Sequence, residues 1–82
     1  MKSVEEVKER IEALFREGKE IHIDITMSRP RLIVRGTPAC IKAVYPNLFR
    51  VEENDIGSPR CHLVRYGDVL IGQVRIAELD EA

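Results

Sequence analysis

Apolar residues recur along the start of the chain with the period of a helix. Val4, Val7, Ile11, Leu14 and Phe15 fall at three- and four-residue steps, with Glu5, Lys8, Glu9 and Glu12 on the other side. Ser3 followed three residues later by Glu6 is a capping box, and Gly18 offers the left-handed position that ends such a helix, so the pattern predicts a helix over about 4–17. From Glu20 the period drops to two. Ile21, Ile23, Ile25 and Met27 alternate with His22, Asp24 and Thr26, which predicts a half-buried strand with His22 on its solvated face.

Leu32 to Val44 predicts a long strand that bends at Gly36-Thr37-Pro38, where glycine permits a bulge and proline removes a ladder donor. With Arg35 and Lys42 facing water, Leu32, Val34, Ile41 and Ala43 are expected to point inward. Tyr45-Pro46-Asn47-Leu48 reads as a turn, and Phe49 and Val51 alternate with Arg50 and Glu52 in the strand that leaves it. This hairpin is mid-chain, and both Tyr45 and Phe49 are expected in the core. Arg60 to Tyr66 predicts a fourth strand with His62, Val64 and Tyr66 inward. Gly67-Asp68-Val69 suits one tight helical turn capped by the Asp68 carboxylate, and Leu70 to Ala77 predicts a fifth strand. Asn54 to Pro59 is dense in turn formers and reads as a mobile surface loop; Glu78 to Ala82 reads as an acidic tail with little to bury.

One helix and five short, bent antiparallel strands point to a mainly β fold, a small SH3-like or Sm-like five-stranded β-barrel over about 20–77 with the helix on one open end. Gly36-Thr37-Pro38 and Gly67-Asp68 would supply the corners, and closure removes vulnerable edges. A three-stranded sheet with a helix is the competing layout. Eighty-two residues make one domain, 1–82, and 44% hydrophobic with 33% charged residues is an ordinary globular balance. No apolar run approaches the length of a membrane span and no signal-peptide core follows Met1, so the expected location is the cytoplasm.

The charge pattern adds a candidate surface. A net charge of −1 hides an acid-free middle: residues 1–24 carry five bases and seven acids, residues 25–51 carry five bases and no acid, and residues 52–82 carry three bases and seven acids. Arg29, Arg31, Arg35 and Lys42 are therefore candidate partner-binding residues, with Arg29 and Arg31 held close in the turn Ser28-Arg29-Pro30-Arg31. The alternative is that the block pairs with the chain's own acidic helix and tail.

Other chemistry is sparse. Cys40 and Cys61 lack CxxC spacing and read as free thiols in strand surroundings; with His22 and His62 they match no zinc pattern, so no metal or cofactor is expected. Asp68 has no His, Ser or Cys at a spacing that would make it catalytic. If His62, Val64 and Tyr66 point inward, Leu63 points out, and Cys40, Val44 and Ile71 are expected to share that outer face as an apolar patch closing a homodimer.

Two segments carry a resemblance. Ala39-Cys40-Ile41-Lys42-Ala43-Val44-Tyr45-Pro46-Asn47-Leu48-Phe49-Arg50-Val51, followed by Val64-Arg65-Tyr66-Gly67-Asp68-Val69-Leu70, resembles the Veg family of short Firmicute proteins. That family has a Tyr-Pro-x-x-Phe-x-Val turn and strand, then a Tyr-x-Asp-Val-Leu segment; Tyr45, Pro46, Phe49, Tyr66 and Asp68 stand at those positions, and neither motif is catalytic. The resemblance implies a cytoplasmic regulator with an SH3-like barrel, linked to biofilm formation and acting on transcription by opposing a repressor. Met27-Ser28-Arg29-Pro30-Arg31 departs from the family's Gly-rich basic loop, and Leu63, Val64 and Arg65 stand where serines and a tyrosine are usual. Three function classes follow. A regulatory adaptor that binds a protein partner is preferred. A nucleic-acid-binding small barrel comes next, supported by the basic block and weakened by the scarcity of rings for stacking. An enzyme comes last.

Overall fold

The computed structural model describes residues 3–28, 31–54, 57 and 59–80. Helix α1 spans Val4–Glu17, the Ser3 hydroxyl accepts from the Glu6 amide, and Gly18 at φ 66° donates to the carbonyls of Leu14 and Phe15. Both ends are thus closed by the residue types expected there. Strands β1 (Ile21–Ser28), β2 (Arg31–Val44), β3 (Leu48–Glu53), β4 (Cys61–Arg65) and β5 (Val74–Ile76) form one antiparallel sheet in the order β4-β3-β2-β1-β5. Short helices α2 (Tyr66–Leu70) and α3 (Ala77–Asp80) flank β5.

The sheet does not close into a barrel, which corrects the architecture expected from the sequence. Strands β4 and β5 are its two edges, with no ladder between them. Strand β5 is only three residues long and spends its pairing on Ile23–Ile25 of β1. Leu70, expected to begin the last strand, instead ends α2, which carries the chain from one sheet edge to the other. The sheet still curls: residues of β4 face Ile25, Met27 and Val74 across a cavity of about 180 Å³. Helix α1 packs on β2 and α2, and Val7 and Ile11 join the strand residues in one continuous core.

Two bulges bend β2. One falls opposite Asp24, where the register passes from Ile23↔Thr37 to Ile25↔Val34; Gly36 there has φ 57°, and its amide donates to the Asp24 carboxylate. This is the expected corner. The second has no glycine or proline signal: Lys42 is the extra residue, so Ile41 pairs with Val51, Ala43 with Arg50 and Val44 with Phe49. A one-residue insertion reverses side-chain parity. Hence Ala43 lies opposite an exposed arginine, and Val44 packs against the core instead of facing outward.

The C-terminal end also differs from expectation. In place of a fraying tail, residues 77–80 form α3, and Leu79 is buried in the core. His22 is exposed on the polar face of β1 as expected, and there it also docks α3: Glu78 accepts from the His22 backbone amide at 2.7 Å and lies 2.9 Å from His22 Nδ1. Burial pushes the Glu78 carboxyl up, but its hydrogen bonds with His22 together outweigh that and hold it below the usual carboxylate range.

Candidate partner-binding surface

The Tyr45–Leu48 turn is closed by the Tyr45 amide donating to the Leu48 carbonyl at 2.8 Å. From there Phe49 alternates inward, where its ring stacks on Tyr66 with centroids 5.5 Å apart and both rings wholly enclosed. The Tyr66 hydroxyl donates to the Tyr45 carbonyl at 2.6 Å, pinning the turn to the core. Burial, together with the nearby Glu12 charge, raises the Tyr66 pKa against this hydrogen bond, so the phenol stays neutral and remains a donor. The Tyr45 ring, expected in the core, is 46% exposed instead, since it sits at the turn's edge beyond the last inward position of β2.

Outside the sheet, the β3–β4 ladder sets Leu48 opposite Arg65 and Arg50 opposite Leu63 on one face. Cross-strand neighbours on one face touch, so cations and apolar side chains alternate there. Leu63 is 68% exposed, and α1 leaves this face open. Further along β2, Arg31 and Arg35 are exposed, as is Lys42 in its bulge; Arg29 lies outside the described residues, as do 55, 56 and 58 of the predicted loop. Among the described residues none of Arg31, Arg35, Lys42, Arg50 or Arg65 is in an ion pair, since the pairs present are Lys19–Glu17 and those of the two histidines. Arg35 and Lys42 are seven positions apart on a strand, roughly 23 Å if straight. The basic block therefore forms two groups, with Lys42, Arg50 and Arg65 beside the exposed apolar residues.

The residues proposed for an oligomer face do not come together. Cys40 and Leu63 share the outer side of the sheet, but Val44 turns inward and Ile71 sits in the turn after α2, exposed and off the strands. Cys40, Glu52 and Cys61 form a cross-strand row, which sets the two thiols two strands, roughly 10 Å, apart. That exceeds disulfide reach, in keeping with two free cysteines. Among the described residues no three His, Cys, Asp or Glu side chains gather as a metal site, and no helix is long and apolar enough to cross a membrane.

Asp68 does not cap its helix. Arg65 occupies the N-cap of α2 without a side-chain bond, and Asp68 is the third residue of the first turn, where a negative charge favours the helix start only through its field. It lines the small cavity between the sheet edges beside His62, whose Nε2 is 2.6 Å from Glu53 Oε2. His62 has the inward parity expected, but its partner was not legible: Glu53, two residues beyond Val51, which pairs with His62, reaches it diagonally across the β3–β4 ladder, where the Glu53 amide donates to the Arg60 carbonyl.

The feature that sequence periodicity missed is a groove between α1 and the turn. Phe15, placed on the inward stripe by its spacing, is 41% exposed and lines a cavity of about 390 Å³ with Val44, Tyr45 and Pro46. The chain has two Phe, two Tyr and no Trp, so half of its rings are in the core and the other half border this groove. Compared with known proteins, the chain matches no family model, and no curated protein matches it significantly.

Proposed function

We propose that this chain is a non-enzymatic, Veg-like regulatory protein of the cytoplasm that works by binding a protein partner, in the regulation of transcription linked to biofilm formation. The regulatory part rests on the resemblance of the Tyr45–Val51 and Tyr66–Leu70 segments. The binding part rests on one observation: exposed Leu63 and half-exposed Leu48 stand directly opposite Arg50 and Arg65, cations that no acid of the described residues neutralises. Apolar contact area ringed by arginine is what protein interfaces are enriched in. The strand order β4-β3-β2-β1-β5, with a helical turn between β4 and β5, supports assigning the fold to the SH3-like or Sm-like small barrels in an open form. Self-association through the outer sheet face rests mainly on Leu63, since Val44 and Ile71 are elsewhere, and a heteromeric partner is the better reading.

Nucleic acid is the second reading, favoured by the same unpaired cations together with Arg31 and Arg35. A gel-shift titration against duplex DNA and single-stranded RNA at low and raised salt separates the two. Protein binding predicts weak retardation at either salt, and recovery from native cells of a partner that Arg50→Glu with Arg65→Glu no longer retains. Tight retardation that collapses as salt rises would replace the adaptor reading with the nucleic-acid one.

A further inference from the structure

The Tyr45–Pro46 turn separates two apolar hollows. On one side lies the groove with Phe15 and Val44; on the other, Leu48 and Leu63 join Tyr45 and Pro46 around a second depression of about 420 Å³. Both hollows share the Tyr45 and Pro46 walls, and the turn between them is fixed from below by the Tyr66 hydroxyl on the Tyr45 carbonyl. A site held in place before binding loses less entropy on ordering its ligand. Around the rim stand Lys8 and Arg16 on the helix side and Arg50 and Arg65 on the sheet side, none of them ion-paired among the described residues, against Glu12 on the helix and Glu52 on the outer face of β3.

We propose that this crest and its two hollows bind a short acidic segment of a partner protein, with one apolar side chain entering between Pro46 and α1 and a second lying beside Leu63. The inference rests on the reading that the protein acts by binding a protein, and it names where and by what chemistry. The charge decides the occupant: four cations against two acids around two apolar hollows leave a positive excess that complements a segment whose apolar residues are flanked by Asp and Glu. A second copy of this chain is a poorer fit, because its acid-flanked Leu79 is already in its own core. A phosphate backbone would satisfy the cations and leave both hollows unfilled.

The test selects a displayed library of random short peptides on the immobilised full chain, then measures the selected peptides by fluorescence anisotropy against the wild type and variants. Expected are sequences rich in Asp and Glu around two apolar residues, losing about ten-fold or more in affinity to each of Tyr45→Ala and Leu63→Ser. Both positions are exposed, so the variants should melt near the wild type. Phe15→Ala should weaken binding comparably, and Arg50→Glu with Arg65→Glu should abolish it. Selection of neutral or basic peptides would overturn the proposal. So would acidic peptides indifferent to Tyr45→Ala and Leu63→Ser, although the protein-binding reading would survive that result. A dimer mass in light scattering that is lost on Tyr45→Glu would hand the hollows to a second copy and overturn it as well. Displacement of every selected peptide by duplex DNA, with salt-steep retardation, would end both readings.

Discussion

Phe49 and Tyr66 show how much a single ring does in a small core. They stack on each other with no exposure between them, and Phe49→Ala would remove one partner and leave a cavity; thermal or urea melts are expected to show a loss of about 3–5 kcal/mol. Tyr66→Phe keeps the stack and removes only the hydrogen bond to the Tyr45 carbonyl, so about 0.5–1.5 kcal/mol is expected, together with local loosening of the turn visible as faster exchange of the Tyr45 amide. Phe49 was legible from its alternation with Arg50. Tyr45 was not, because the last residue before a turn obeys the turn's geometry and not the strand's period. The parity switch at Lys42 can be tested in the same way. Val44→Asp sets a charge against the core and should cost on the order of 1–3 kcal/mol, whereas Ala43→Asp, opposite Arg50, should stay within about 0.5 kcal/mol of the parent. Equal losses would mean that the bulge does not turn Ala43 outward.

Among the elements, α1 was written plainly in the sequence because its cap, stripe and terminal glycine are all local signals. The hairpin of β2 and β3 was equally plain, since proline and asparagine mark the turn between two β-rich runs. Helix α3 was hidden. Four residues with one large apolar side chain carry no periodicity, and what makes them a helix is tertiary: Leu79 fills the core and Glu78 reaches the backbone and ring of His22, fifty-six positions earlier in the chain. This docking should depend on pH. The Glu78 carboxyl titrates lower in the folded protein than its ordinary 4.5, so the unfolded chain binds its proton first as pH falls. The contribution is therefore fully present above that ordinary value and is lost as pH drops through the lower folded value. Melting temperatures of the wild type and Glu78→Gln should differ near neutrality and converge in acid, and a gap that persists unchanged into acid would show that the carboxylate charge is not what holds α3.

At the scale of the whole molecule, the sequence announced five strands and their bends but not how the sheet ends. Gly36 and Gly67 offer corners for closure, yet closure depends on the length of the last strand, and the residues from Leu70 to Gln73 read as strand until α2 claims the first of them and a turn the rest. The outcome is a curled sheet whose two edges face each other without pairing, and amide hydrogen exchange can test that arrangement directly. The Glu53 amide donates to the Arg60 carbonyl at 2.9 Å, which makes that pair hydrogen-bonded in the β3–β4 ladder. In an antiparallel pair such positions alternate, so Val51–His62 and Phe49–Val64 are bonded as well, and the amides of Cys61 and Leu63 are directed at the free edge. His62 and Val64 should therefore exchange slowly, with protection approaching that of the central strands, while Cys61 and Leu63 exchange much faster. Matching protection at all four would mean that something pairs with β4. Protection that persists on dilution would place that strand within the same chain and restore the closed barrel; protection lost on dilution would place it on a second copy.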